Sequence, residues 1–169
     1  MNNCTYTLDD KLLASNGKRL LNYILDVIFI FLLIIILAFF FAIFASLFDW
    51  SELLFWMTNM SDLEGEVVFV MIMIVYYMVT EGIFGRSLAK VITRTIVVDE
   101  NGVKPGFAAV LKRSLSRLIP FEVFSFLGSA GRGWHDSLSD TYVVDKKALA
   151  EEKKMFDEFK LIGVEETNE

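Results

Sequence analysis

The sequence predicts an α-helical integral membrane protein, and three observations lead to this fold class. Hydrophobic residues make up 54% of the 169 positions, and 16 positions are Phe. A single small globule has too little interior to bury so much apolar surface. One apolar run is long enough to cross a bilayer and a second approaches that length, while all 16 basic residues lie outside this pair of runs. We therefore expect two transmembrane helices, an interfacial amphipathic helix and a small cytoplasmic β-hairpin or sheet.

The first predicted span follows a polar cytoplasmic segment, residues 1–17. Residues 27–48 form a stretch of 22 uncharged residues. As a helix this stretch extends about 33 Å, which exceeds the roughly 30 Å of a hydrocarbon core. The apolar pattern begins near Lys18, so the span is placed at about 18–48. Since residues 1–17 lack the features of a secretory signal, we expect the span to remain uncleaved.

The second predicted span is weaker. Residues 67–80 are uncharged but are too few for a full crossing. Extending the helix through Glu81 to about residue 85 brings it to a sufficient length. This span therefore requires Glu81 to lie inside the membrane or at its inner boundary.

The charge distribution predicts the topology. The link between the spans contains five acidic residues and neither Lys nor Arg. Because basic residues remain on the cytoplasmic side, we expect both termini inside and the acidic link outside. This predicts a multi-pass protein of the cell inner (plasma) membrane. The single cysteine, Cys4, forms no internal disulfide, which fits a reducing compartment.

After the spans, two short runs are typical of β-strands, residues 94–99 and 141–144. The first is followed by a turn in which Gly102 is expected to adopt a positive φ. The two runs are predicted to pair at the membrane surface. The remaining segment, residues 146–169, is a charged cytoplasmic tail in which residues 148–159 are expected to form a solvated helix.

Between the strands, residues 107–127 are predicted to form an interfacial helix. Its basic residues fall on one helical side: Lys112, Arg113 and Arg117. Its apolar residues fall largely on another side: Val110, Leu111, Leu115 and Leu118. We expect the basic side to face anionic lipid head groups. A re-entrant helix that dips into the membrane is the alternative.

Two carboxylates beside the spans are the first candidate site. Asp26 directly precedes the long apolar run, and Glu81 holds the mirrored place on the second helix. A carboxylate in hydrocarbon costs about 2.5–3.5 kcal/mol on insertion scales. We therefore expect both side chains to face protein and to pair with cations. The arginines available on the same side are Arg19, Arg86, Arg113 and Arg117. Two interpretations remain open, a cation or proton pathway and a structural ion network, and the sequence favours the second.

The sequence contains no recognisable catalytic or metal-binding motif. His135 and Asp136 are adjacent, and adjacent side chains rarely point at one substrate, so a structural role is favoured for both. No Ser or Cys lies in a known nucleophile motif, and no Cys/His cluster has zinc spacing. We expect no enzyme activity, no cofactor, no metal and no nucleic-acid partner.

An ordered set of short motifs resembles the RDD family of membrane proteins, named for one Arg and two Asp. The motifs are Arg19 with Asp26 seven residues later, residues 87–90 (Ser-Leu-Ala-Lys), residues 96–99 (Ile-Val-Val-Asp), Asn101-Gly102, Arg113 with Arg117, His135-Asp136, and residues 141–144 (Thr-Tyr-Val-Val). The resemblance covers roughly residues 12–145. It departs at Ala89 and Arg94, where the family commonly has Gly, and the third long span that often precedes the His-Asp element is cut short.

The resemblance implies that Arg19, Asp26 and Asp136 are the signature residues. We expect these three to converge at the inner boundary of the membrane with Glu81 and Arg117, next to His135. Cation/proton antiport is attributed to some members of the family, so transport through an oligomer is one functional hypothesis. A non-transporting scaffold or accessory subunit is the other. The expected partners are the lipid bilayer and either further copies of the chain or another membrane protein.

Overall fold

The computed structural model describes residues 6–119 and 133–165. Two long helices dominate it, α1 (Asn16–Leu47) and α3 (Asp62–Phe84), joined through the short helix α2 (Ser51–Thr58). Both long helices are long and apolar enough to cross a membrane. Only 6% of the most apolar stretch of α1 and 17% of that of α3 are buried within the protein. The apolar surface of these helices is therefore left facing outward, unlike that of a core helix in a soluble fold.

Local signals set the ends of the long helices. Ser15 caps α1 by accepting a hydrogen bond from the backbone N–H of Lys18. Ser61 and Glu64 form a reciprocal capping box at the start of α3. Gly85 ends α3 in the left-handed conformation, with φ 68°. Helix α3 thus begins five residues before the second predicted span, and it ends within one residue of the predicted end.

The two long helices pack against each other through a small apolar cluster. Its buried members are Ile30 from α1 and Tyr76 and Tyr77 from α3. The Tyr76 and Tyr77 rings meet edge to face, with centroids 5.2 Å apart. This cluster holds α1 beside α3 and leaves the hydroxyl of Tyr76 near the charged end of both helices.

The second half of the described chain is built from short elements. Helix α4 (Leu88–Ile92) leads into strand β1 (Thr95–Val98), and helix α5 (Phe107–Ser116) follows. Helix α6 (Trp134–Leu138), strand β2 (Tyr142–Asp145) and helix α7 (Lys146–Glu165) complete the order. The predicted strands and the charged tail helix are therefore present.

The two strands pair as an antiparallel sheet with Ile96 opposite Val144. They are distant in sequence and do not form a hairpin. Val98, Val144 and Leu149 of α7 form a buried cluster on one face of the sheet. Gly102 has φ 66°, which confirms the predicted turn. The sheet thus carries its own small core, separate from the cluster between the long helices.

Helix α5 contradicts one expectation. Its basic side was expected to face lipid head groups, but Arg113 is fully buried and only 6% of the Arg117 side chain is exposed. Phe107 and Leu115 are exposed instead. The reason is electrostatic, because buried carboxylates on neighbouring elements attract the guanidinium groups inward. The rest of the predicted 107–127 helix, from Pro120 onward, lies outside the described residues.

Candidate functional site

Charged side chains meet in a buried cluster between the Asn16 end of α1 and the Phe84 end of α3. Six of them are at most 3% exposed: Arg19, Asp26, Glu81, Lys90, Arg113 and Asp136. His135 is equally buried, and Arg117 lies at the edge of the cluster. We call these eight residues the ion network. They come from five helices, α1 and α3–α6, with Arg117 directly following α5.

Asp136, in the first turn of α6, contacts two arginines and one histidine. Arg19 Nη1 lies 2.6 Å from one carboxylate oxygen, and Arg113 Nη1 and His135 Nε2 contact the other. Burial alone would raise the pKa of Asp136. The charges of Arg113 and Arg19, together with the hydrogen bond from His135, outweigh burial and hold the pKa of Asp136 well below its usual value. Asp136 is therefore ionised throughout the physiological pH range.

Arg19 connects α1 to the sheet. Besides its contact with Asp136, its Nε donates to the carbonyl oxygen of Ala14 at 2.9 Å and its Nη2 to that of Val143 at 3.3 Å. The planar guanidinium presents several donors in a fixed fork, which suits it to this triple role. One side chain thus fixes α1, β2 and α6 relative to one another.

Glu81 is enclosed by three cations. Lys90 Nζ lies 2.6 Å from Oε1, Arg117 Nη2 lies 3.2 Å from the same oxygen, and Arg113 Nε lies 2.8 Å from Oε2. Burial lowers the pKa of Lys90, and the adjacent Glu81 carboxylate opposes that effect. The Arg117 guanidinium also lies over the Tyr77 ring, 3.8 Å from its centroid. Glu81 therefore links the end of α3 to both α4 and α5.

Asp26 is bound differently from the other two carboxylates. It accepts hydrogen bonds from the Tyr76 hydroxyl at 2.8 Å, the Ser87 hydroxyl at 2.6 Å and the Ala89 backbone N–H at 3.2 Å. All three donors are neutral, whereas we expected a cation beside this carboxylate. The contact with Ala89 places Asp26 at the start of α4, where a negative charge is favoured.

Most of the residues predicted from the sequence are brought together. Asp26 and Glu81 are buried, as expected, and Arg19 contacts Asp136 directly. Asp26 contacts neither Arg19 nor Asp136. These three residues nevertheless surround the same small region, together with Arg117 and His135. The structure therefore joins the Arg and the second Asp of the signature in one ion pair and holds the first Asp apart.

Lys90 was not predicted as a site residue, and Arg113 was expected only as one of four arginines available to pair with Asp26 and Glu81. Arg113 contacts both Glu81 and Asp136 and so joins the two halves of the network. A signal for both existed in the sequence. Three carboxylates near the spans require more cations than Arg19 and Arg117 supply, and these two residues lie close in sequence to the predicted site.

A small cavity of about 20 Å³ lies inside the ion network. Its walls combine charged and polar groups: Arg19, Asn22, Tyr23, Asp26, Lys90, Arg113, Arg117, His135, Asp136 and Val143. A cavity needs a volume of about 10–15 Å³ to hold one water molecule, so this cavity has room for a water. Within residues 6–119 and 133–165, no group of three or more His, Cys, Asp or Glu side chains is arranged to hold a metal ion.

Comparison with known proteins gives one match. The model of the family described as RDD family matches residues 13–139. This range begins just before α1 and ends just after α6, so it contains every member of the ion network. Neither the curated proteins nor the solved structures contain a significant match to the chain.

Proposed function

The chain belongs to the RDD family, and on that premise we propose that it is a multi-pass protein of the cell inner (plasma) membrane with both termini cytoplasmic. The outward-facing apolar surfaces of α1 and α3 support two membrane spans. The basic residues that flank these helices, and the acidic link between them, support this orientation. The ion network would then lie at the cytoplasmic boundary of the bilayer.

We infer that the ion network is structural and that the protein acts as a membrane scaffold or accessory subunit. The observation that carries this is the pairing of the carboxylates. Glu81 has three cationic neighbours, and Asp136 has two arginines and His135. Carboxylates so enclosed by fixed positive charge offer little affinity to a passing cation. Their evident effect is to hold α4, α5 and α6 onto the ends of the spans.

Cation/proton exchange through an oligomer is the second candidate, and Asp26 is the observation that favours it. This carboxylate is buried, lines the cavity and, among the residues that the structure describes, accepts hydrogen bonds only from neutral donors. Hydroxyl groups can rotate from donor to acceptor, so Tyr76 and Ser87 would accommodate a protonated Asp26. Since two spans cannot enclose a path alone, this function requires several copies of the chain.

A flux measurement distinguishes the two candidates. Purified protein is reconstituted into liposomes that carry an internal pH dye, and Na⁺, K⁺ or Li⁺ is added outside. The structural role predicts no cation-dependent proton flux above that of empty liposomes. Flux that disappears in Asp26→Asn but persists in the exposed control Asp140→Asn would overturn it. Dye retention and protein orientation are verified in the same vesicles, so that an absence of flux is interpretable.

The scaffold role makes a separate prediction about assembly. Extraction in mild detergent should yield the chain in a defined complex, with further copies or with another membrane protein. Chemical cross-linking in intact membranes before extraction establishes that the complex exists before detergent is added. Recovery of a lone monomer under both conditions would contradict the scaffold role and would also remove the oligomer that transport requires.

A further inference from the structure

Helix α4 carries an exposed apolar face on the side away from the ion network. Three of its five residues, Leu88, Val91 and Ile92, are between 47% and 59% exposed. Their spacing of three and four residues places them on one side of the helix. The other two, Ala89 and Lys90, are buried against the network. Large aliphatic side chains grouped on an exposed face mark a contact with lipid or with protein.

A hydrogen bond places the start of α4 beside the last turns of α3. The backbone N–H of Leu88 donates to the Tyr76 hydroxyl at 3.3 Å. Tyr76 precedes Gly85, which ends α3, by about 13–14 Å along the helix axis. A Tyr side chain is shorter than this distance, so its hydroxyl lies within the span and not at its end. The chain therefore turns back after Gly85, towards the middle of the two long helices.

Two further backbone contacts trace the path of this segment. The N–H of Ala89 donates to Asp26 at 3.2 Å, and Asp26 lies about 15 Å along α1 from its first residue. After α4, the N–H of Val97 donates to the carbonyl oxygen of Gly85 at 3.1 Å. Residues 85–97 thus leave the end of α3, reach inward beside both long helices and return to the end of α3.

We propose that α4 is re-entrant, entering the bilayer from the cytoplasmic side, and that its exposed face contacts acyl chains of the inner leaflet. This inference rests on the two spans proposed above. The second span is long enough to cross only if the exposed residues Ile83 and Phe84 reach lipid. Because Leu88 begins α4 further from the cytoplasmic end of α3 than either of them, the face of α4 continues the lipid-facing surface of the span.

The charges at the ends of α4 favour lipid as the partner. Arg86 precedes the helix and Arg94, which is exposed, follows it. Basic side chains that flank an apolar segment reach the phosphates of the head groups while the segment enters the acyl region. A cation at each end also fits a segment that enters and leaves the bilayer on the cytoplasmic side.

Fluorescence quenching from within the bilayer tests the position of α4. In a Cys4→Ser background, Leu88→Cys is labelled with bimane, and the full chain is reconstituted into phosphatidylcholine vesicles. Nitroxides attached to the acyl chain, either near the head group or near the chain end, are compared with iodide in water. Since a helix at this level lies near the head-group end of the acyl chains, the shallow nitroxide should reduce the emission about twice as strongly as the deep one. Iodide should have little effect.

Two reference positions make each outcome decisive. Ile36→Cys, in the exposed middle of α1, should be quenched mainly by the deep nitroxide, and Lys147→Cys in α7 mainly by iodide. Quenching of the Leu88 probe by iodide alone, with Ile36 still quenched from the lipid, would overturn the proposal and leave the spans intact. Quenching by neither agent would mean that protein covers α4, which would overturn the assignment to lipid. Loss of lipid quenching at Ile36 would contradict the spans and this inference with them.

A pair of charge substitutions tests the same face by stability. Ile92→Asp and Met155→Asp each replace an exposed apolar side chain with a carboxylate, the first on α4 and the second on α7. An Asp in contact with acyl chains is unfavourable, so Ile92→Asp should lower the folding equilibrium constant in lipid bicelles at least about tenfold. Met155→Asp should leave it nearly unaltered. Equal effects of the two substitutions on denaturant unfolding would contradict the contact of α4 with lipid.

Discussion

Arg19 Nη1 and Asp136 Oδ2 lie 2.6 Å apart although 117 residues separate them in sequence, and both side chains are buried. This ion pair connects the first turn of α1 to the first turn of α6, close to the two ends of the region that matches the family model. It therefore fixes the position of α6 relative to the first long helix.

Removing the charge of Asp136 should destabilise the fold strongly. Asp136→Asn leaves Arg19 and Arg113 buried without their shared carboxylate, and breaking a buried pair in this way costs about 3–5 kcal/mol. Denaturant unfolding of the purified protein in detergent provides the measurement. The control is Asp140→Asn, since Asp140 is exposed and Asn tolerates its positive φ of 50°. If Asp136→Asn lowers the free energy of unfolding no more than the control does, the role of Asp136 is contradicted.

Glu81 should be comparably important at the other side of the network. Glu81→Gln removes the counter-charge of Lys90, Arg113 and Arg117 and should cost about 3–5 kcal/mol in the free energy of unfolding. Glu66→Gln is a matched control because Glu66 is an exposed carboxylate on the same helix. If both variants unfold at the same denaturant concentration as the unaltered protein, Glu81 does not hold the cluster together.

The contribution of Asp136 to stability should persist to low pH. Its pKa is lowered in the folded state, so its contribution is complete above the unfolded pKa of about 3.9 and is lost only as pH falls through the lower folded pKa. The difference in unfolding free energy between the unaltered protein and Asp136→Asn should therefore not shrink between pH 7 and about pH 5. A difference that shrinks between pH 7 and pH 5 would mean that the folded pKa is not lowered.

The turn at Gly102 should not tolerate a side chain. Its φ is 66°, and a Cβ there would lie 2.9 Å from Lys153 Cε and from Tyr6 Cε1. Gly102→Ala should cost about 1–3 kcal/mol in the free energy of unfolding and loosen the contact between the turn and α7. Gly106→Ala is the control, because open space surrounds Gly106. Proteolysis within α7 should accelerate only in the first variant, and equal rates would contradict this account of the turn.

The orientation of the chain can be tested by cysteine labelling. In a Cys4→Ser background, Glu52→Cys in α2 and Lys147→Cys in α7 each provide one exposed thiol. A membrane-impermeant maleimide added to intact cells should label the first variant and should label the second only after permeabilisation. The reverse pattern would show that the termini lie outside.

Features that depend on local sequence were predicted well. The lengths of the apolar runs predict both long helices, and short runs rich in β-branched residues predict both strands, since these signals require no knowledge of neighbours. Helix α2 was not predicted, because its segment was interpreted only as an acidic link. The basic side of α5, which includes Arg113 and Arg117, was predicted to face lipid head groups. Periodicity shows which residues share a helical side, but it does not show which element that side contacts.

The pairing within the ion network could be predicted only in part. Arg19 and Asp26 share one side of α1, which suggests a common partner, yet Asp26 is bound by hydroxyl and backbone donors instead. Such donors are common throughout the sequence and carry no distinguishing signal. The distinction between a carboxylate bound by cations and one bound by neutral groups arises only from tertiary packing.

The position of Arg113 has a consequence for biogenesis. The elements are synthesised in the order α1, α3, α4 and α5, so Lys90 of α4 is the first cation of the network that becomes available to Glu81. Only the translation of α5 supplies Arg113, and only that of α6 supplies its second carboxylate, Asp136. The ion network is therefore completed only when the downstream segment has been synthesised. A nascent chain that stops before residue 113 retains Lys90 beside Glu81 but lacks the two arginines that also contact this carboxylate, Arg113 and Arg117.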